Sequence, residues 1–187
     1  MDNFSDNLFD CTSLLSLSSS DAANRQTVLA LGNPAILSER KLALFCSRQC
    51  PGNVILRVYD LARHLRDKEQ TVISGFHSPI EQEILSILLR SKQPIIICPA
   101  RSLEGMRLSS AWRSAIDEGR LLLLSPFTEN ITRTSARNAI RRNEFVANIA
   151  DEILIIHTAP KSETEKLTET IKTKGKIVRY FEKDFEL

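Results

Sequence analysis

Four arginines, Arg133, Arg137, Arg141 and Arg142, fall in a stretch from Ile131 to Asn143 that contains no acidic residue. A guanidinium stays charged at any physiological pH and presents its donors as a planar fork, so this grouping reads as a surface for phosphate or carboxylate. Spacing of i, i+4 and i+8 puts the first three on one side of a helix predicted to start between Thr132 and Ser135. Basic side chains in an opening turn oppose the helix dipole, at roughly 0.3–1 kcal/mol each when exposed. Helix stability therefore does not account for them, whereas an anionic partner does. The competing reading is a solvated basic face balanced by Glu144 or by more distant acids.

Other chemistry-bearing residues are sparser. Cys46 and Cys50 form one C-x₃-C spacing, but Cys11 and Cys98 add no second pair and no nearby histidine completes a zinc set, so no metal site is expected. His64 sits among Arg63, Arg66 and Lys68 and reads as an exposed helical residue. His77 and His157 fall at the ends of apolar runs, where polar lining is the simpler role. Glu81 has the look of a catalytic carboxylate, yet Ser78-Pro79-Ile80-Glu81 is a capping box with proline at the first helical position, which already explains it. No Ser-His-Asp or Cys-His arrangement can be read from spacing. Phe76 and Phe127 are candidates for stacking on bases, with core packing as the alternative use of each ring.

These residues need elements to position them. A chain of 187 residues with 42% hydrophobic and 26% charged side chains has the make-up of one folded domain. Short apolar runs at Leu42 to Cys46, Thr71 to Ser74, Ile95 to Cys98, Leu121 to Leu124, Ile153 to Ile156 and Ile177 to Phe181 alternate with amphipathic stretches. That alternation predicts an α/β, Rossmann-like domain over residues 28–187: a mostly parallel open sheet of about six strands with helices on both faces. Val54, Val58, Leu61, Ala62 and Leu65 mark the buried stripe of the first helix. Gly119 and Gly175 stand where helices end. Residues 1–27 are acidic and Ser-rich, with apolar residues that suggest a short docking helix. The formal net charge of +2 divides into −3 for that segment and +5 for the rest, so the average conceals a basic domain. No apolar run approaches the ~20 residues that span a bilayer, and the acidic N-terminus lacks the basic start of a secretory signal, so a cytoplasmic location away from membranes is expected.

In an open parallel sheet, ligands bind beyond the carboxyl ends of the strands. Those ends are Ser47-Arg48, Gly75-Phe76-His77-Ser78, Pro99-Ala100-Arg101, Ser125-Pro126-Phe127-Thr128 and His157-Thr158, a set suited to an anion. The order of motifs resembles the Rossmann-like core of the DprA/Smf family of DNA-processing proteins, from about Ala30 to Tyr180. Leu31-Gly32-Asn33-Pro34 is similar to the family's Gly-Asn lead-in, and Lys41 to Arg48 to its strand ending in Gly-Ser/Thr-Arg. Thr71-Val-Ile-Ser-Gly75 resembles the second strand with its Ser-Gly end. Arg142-Asn143-Glu144, running into Ile153-Leu-Ile-Ile156, resembles the family's Arg-Asn-Arg helix and following strand, and is the most specific of these blocks.

The departures are equally concrete. Cys46 replaces the glycine of Gly-Ser-Arg, leaving less room for a phosphate to approach the backbone. Phe76 to Glu81 replaces Gly-Ala-Arg-Gly-Ile-Asp, Glu144 replaces the second arginine of Arg-Asn-Arg, and Pro160 to Glu163 replaces a Ser-Gly-Ser turn. With only 6 glycines in the chain, the pocket lacks the usual phosphate cradle. The sixth strand falls close to the last residue, leaving no length for the C-terminal winged helix of many family members.

The resemblance implies a non-enzymatic, cofactor-free binder of single-stranded DNA that passes the strand to a recombinase and works as a homodimer. On that reading Arg48, Arg101, Arg137, Arg141, Arg142 and Asn143 contact phosphates, Ser47 and Ser74 hydrogen-bond them, Gly75 lines the site, and Phe76 or Phe127 stacks a base. The wider superfamily implies an alternative, a sensor for a nucleotide or nucleotide-derived ligand. A third reading, a nucleotide phosphoribohydrolase, requires a Pro-Gly-Gly-x-Gly-Thr loop, and no Gly-Gly pair occurs in this sequence.

Overall fold

Each apolar run becomes a strand whose successive side chains point to opposite faces, and both faces are covered. The computed structural model describes residues 7–15, 27–128, 131–173 and 175–181. Its sheet comprises β1 (Phe9–Asp10), β2 (Leu29–Gly32), β3 (Lys41–Cys46), β4 (Thr71–Ser74), β5 (Ile95–Ile97), β6 (Leu121–Ser125), β7 (Glu152–His157) and β8 (Ile177–Tyr180). The strand order is β1-β2-β6-β5-β4-β3-β7-β8. From β3 to β8 all pairings are parallel, and the expected six strands appear within about a residue of their predicted bounds.

Two strands are additions to the expectation. β2 pairs antiparallel with β6, and β1 antiparallel with β2, extending one edge of the sheet. β1, with two residues, is too short to establish a period; β2 is as long as β4 yet is not among the predicted strands. The described part of the acidic segment thus forms a strand and a 3-10 turn at Thr12–Leu14 rather than a docking helix. Cys11 and Leu15 are buried with it, so sheet and core begin before residue 28, while the rest of the segment lies outside the described residues.

Five helices cross between the parallel strands: α1 (Gly52–Asp67), α2 (Pro79–Leu88), α3 (Ser110–Asp117), α4 (Ala136–Ile149) and α5 (Glu163–Thr173). Leu42, Leu44 and Cys46 of β3 point into one core with Val54, Val58, Leu61, Ala62 and Leu65 of α1 and Ile80, Ile84 and Leu88 of α2. Ala43 and Phe45 point into the other, against Phe145 and Val146 of α4 and Leu167 and Ile171 of α5. Burying one such aliphatic or aromatic side chain contributes about 1.5–3 kcal/mol, so the two-sided strands dominate the stabilising side of the balance.

Helix ends follow the local chemistry. Ser78 accepts a hydrogen bond from Glu81 N–H at 3.3 Å, and Glu81 accepts from Ser78 N–H, completing the capping box of α2. Ser78→Ala is expected to lower stability by about 1 kcal/mol, read as a shift in the urea midpoint at unchanged m-value. Gly119 and Gly175 have φ of 72° and 68°, the left-handed geometry that glycine supplies after a helix.

The chain steps from β3 outward to β4, β5 and β6, then returns to the other side of β3 for β7 and moves on to β8. The crevice between the carboxyl ends of β3 and β7 is therefore the topological switch point, where open α/β sheets bind ligands.

Candidate nucleic-acid interface

The switch-point crevice is bridged by the protein itself. Ser47, at the end of β3, is buried; its hydroxyl donates to Ser162 Oγ at 3.0 Å and accepts from Ala159 N–H at 2.9 Å. Ser47 N–H donates to the His157 carbonyl at 3.0 Å. These bonds tie the loop after β3 to the loop after β7. Ser162 also accepts from Glu165 N–H at 3.2 Å at the start of α5. Arg48, next along from Ser47, is exposed.

A second closure lies at the tips of β3, β4 and β5. Glu81 is buried, with one carboxylate oxygen accepting from Cys46 N–H at 2.9 Å and the other from His77 N–H at 2.8 Å as well as from Ser78. An internal anion thus takes the backbone N–H groups that a phosphate would otherwise find there. Desolvation pushes the Glu81 carboxyl above its ordinary value, opposed by Arg142 and by these N–H donors.

Arg142 is the matching cation and is only 3% exposed. Nη1 donates to the Cys98 carbonyl at 2.7 Å and Nε to Asn143 Oδ1 at 2.7 Å. Burial pulls its pKa down from the ordinary value, with Glu81 holding it up. A Cβ on Gly75 would lie 1.4 Å from Nη1 and 1.8 Å from Cζ, so the guanidinium occupies the space that the missing side chain leaves. Gly75 is required by the protein's own arginine. Ser74 is likewise turned inward, donating to the Leu44 carbonyl at 2.9 Å and accepting from Phe76 N–H at 3.2 Å.

The two rings that are candidates for stacking on bases are in the interior. Phe76, at φ 45°, is 5% exposed and packs into the α1/α2 core. Phe127 is 1% exposed, and the Arg141 guanidinium sits over its ring at 5.1 Å. An amphipathic pattern around the ring carries no sign of which neighbour covers it.

Exposed cations remain. In α4, capped by Ser135 through Asn138 N–H at 3.2 Å, Arg137 and Arg141 lie outward with Glu144, while Arg142, Phe145, Val146 and Ile149 lie inward. Arg133 precedes the cap, so it extends the basic stretch from a loop instead of sharing the helical face. α4 follows β6, so its first turn, with Arg137, comes after the carboxyl end of that strand, and Arg142 farther along the helix bonds the Cys98 carbonyl just past β5. Arg101 follows β5, half-buried; its carbonyl accepts from Ser125 Oγ at 2.8 Å and its Nε is buried with no hydrogen-bond partner. His77 is exposed at the rim, and its pKa is lowered by desolvation, then by Arg142 and Arg48. The sequence places it at a strand end as polar lining, outside the expected phosphate-binding set. Among the described residues no cluster of His, Cys, Asp or Glu has the make-up of a metal site, and no helix is long and apolar enough to cross a membrane.

Compared with known families, the chain matches the one described as DNA recombination-mediator protein A over residues 18–185, taking in every strand from β2 to β8. The chain belongs to that family. DNA recombination-mediator protein A members are also among the structural likenesses. DNA processing protein A (DprA) of Streptococcus pneumoniae superposes with a TM-score of 0.68 at 18% identity, covering 82% of this chain and 54% of that one. The Helicobacter pylori DprA, whose unique single-stranded DNA binding mode has been described structurally, gives 0.66 at 16% identity, with 89% and 75% covered. The chain thus spans about half the length of the pneumococcal DprA. A molybdenum cofactor binding protein of Rippkaea orientalis shares the fold more loosely, at 0.53 and 11% identity over 76% of each chain. No curated protein sequence matches the chain significantly.

Proposed function

We propose that this DprA-family chain binds single-stranded DNA without reacting with it, along the exposed arginines Arg48, Arg137 and Arg141, with Arg133 and Arg101 beside them. The observation that carries this reading is the division of labour among the basic residues. Arg142, Ser47 and Ser74 hold the strand tips together, while Arg48, Arg137 and Arg141 are left exposed on segments that follow β3 and β6, which supports a reading in which they meet a ligand on the side where α/β sheets take one. Phosphates are the chemistry such a row suits, and a strand held by its backbone is bound with little regard to sequence. In this reading the bound strand is handed on to a recombinase, and pairing of two copies lengthens the basic track.

A pocket for a single nucleotide finds less support, because Glu81 already takes the backbone donors at the tips and Arg142 fills the space over Gly75. The two readings separate in one experiment. Thermal shift with oligo-dT and with a panel of mononucleotides is expected to show stabilisation by the oligonucleotide alone. Stabilisation by a mononucleotide with indifference to oligo-dT would replace this reading by the sensor.

A further inference from the structure

We propose that His77 is a proton-coupled phosphate contact: its imidazole takes a proton from solvent as a backbone phosphate of the strand settles against it and Arg48. This rests on the single-strand reading above and deepens it. Two independent features of the geometry bring His77 to that place. Glu81 ties it to the tip of β3, one oxygen accepting from Cys46 N–H and the other from His77 N–H, so the loop carrying Arg48 and the loop carrying His77 are held by one carboxylate. Arg142 lies on Gly75, two residues before His77, and fixes the other side of the same loop. Phe76, in left-handed geometry between them, turns its ring into the core while His77 stays exposed.

The charged groups near enough to act on His77 are Arg48 from the loop after β3 and Arg142 from α4, while Glu81 of α2 accepts from its N–H and Gln82 donates to its carbonyl. Both guanidiniums keep their charge throughout the physiological range. The Cys46 thiol at the end of β3 is pushed up by burial and stays neutral there. In the free protein, partial burial and the two arginines disfavour a third positive charge, so the imidazole is held neutral more readily than an ordinary histidine. A phosphate reverses that balance: its negative charge offsets the arginines and favours imidazolium. By linkage, a site that gains a proton on binding holds its ligand more tightly as pH falls.

The test is the affinity of the full chain for labelled oligo-dT between pH 7.5 and 5.5 at constant ionic strength, for the native protein and His77→Gln. Any contribution from Glu81 is common to both and cancels in the comparison. The native protein is expected to gain up to about tenfold more affinity than the variant, the equivalent of one pK unit of coupling. Histidine ring resonances of the native protein, with His77 assigned by its loss in the variant, should show the midpoint of His77 rising on saturation with oligo-dT. Equal pH slopes, or an unmoved midpoint in a protein that binds, would overturn the proposal and leave single-strand binding standing. Absence of oligo-dT binding at every pH would overturn both.

Discussion

Arg142→Ala is expected to destabilise the fold by about 1–3 kcal/mol or more, the cost of leaving a buried hydrogen-bonding group unsatisfied. The guanidinium lies within the protein, donates to the Cys98 carbonyl at 2.7 Å and balances the Glu81 carboxylate. Its loss leaves a buried carbonyl without that donor and a buried acid without its cation. In a double-mutant cycle with Glu81→Gln, the two changes should cost less together than the sum of each alone, because the uncompensated charge is then gone. Gly75→Ala acts on the same arginine from the other side. The new Cβ meets Nη1 at 1.4 Å, and an arginine held by Cys98 and Asn143 has little room to yield. Urea unfolding followed by circular dichroism measures the four variants against the native protein, and a loss under about 1 kcal/mol for Arg142→Ala would remove it from the structural frame.

Arg137→Glu/Arg141→Glu should do the reverse, leaving the fold largely intact while abolishing most binding. Both side chains are exposed, and the structural loss is confined to the Arg141 guanidinium over Phe127, about 0.5–1 kcal/mol for an exposed cation–π contact. A charged hydrogen bond to phosphate is worth about 1.5 kcal/mol or more, roughly tenfold each. Reversing both charges is therefore expected to weaken oligo-dT binding by at least about 100-fold at low salt. The slope of log K against log salt should become less negative by about 1.4, since each phosphate contact on a single strand contributes about 0.7. Unchanged affinity in a folded double variant would remove this face of α4 from the interface.

The difference between these two variants marks where sequence reading stopped. Strands buried on both faces announce themselves, because every residue of Leu121 to Leu124 or Ile153 to Ile156 must be apolar. The stripe Val54, Val58, Leu61, Ala62 and Leu65 and the box Ser78 to Glu81 are equally local signals, and the helices they predict are present. Adjacent arginines are a different case. Arg141 and Arg142 look alike in a charge run, yet one helical step of 100° turns the first toward solvent and the second toward Gly75. Glu81 satisfies a local capping pattern that says nothing about its other oxygen, which reaches Cys46 from 35 residues away. Phe76 and Phe127 were open to either use, and packing decided both. Net charge, nearly zero over the chain, misled in the same way: the informative quantity is which cations the fold leaves facing outward.

Fluorescence anisotropy of labelled oligo-dT against the native chain over a range of salt concentrations tests the central claim most directly. Three exposed arginines on phosphates predict binding at low salt, with log K falling linearly against log salt at a slope of about −2 or steeper. No binding at low salt, or an affinity indifferent to salt, would contradict the account.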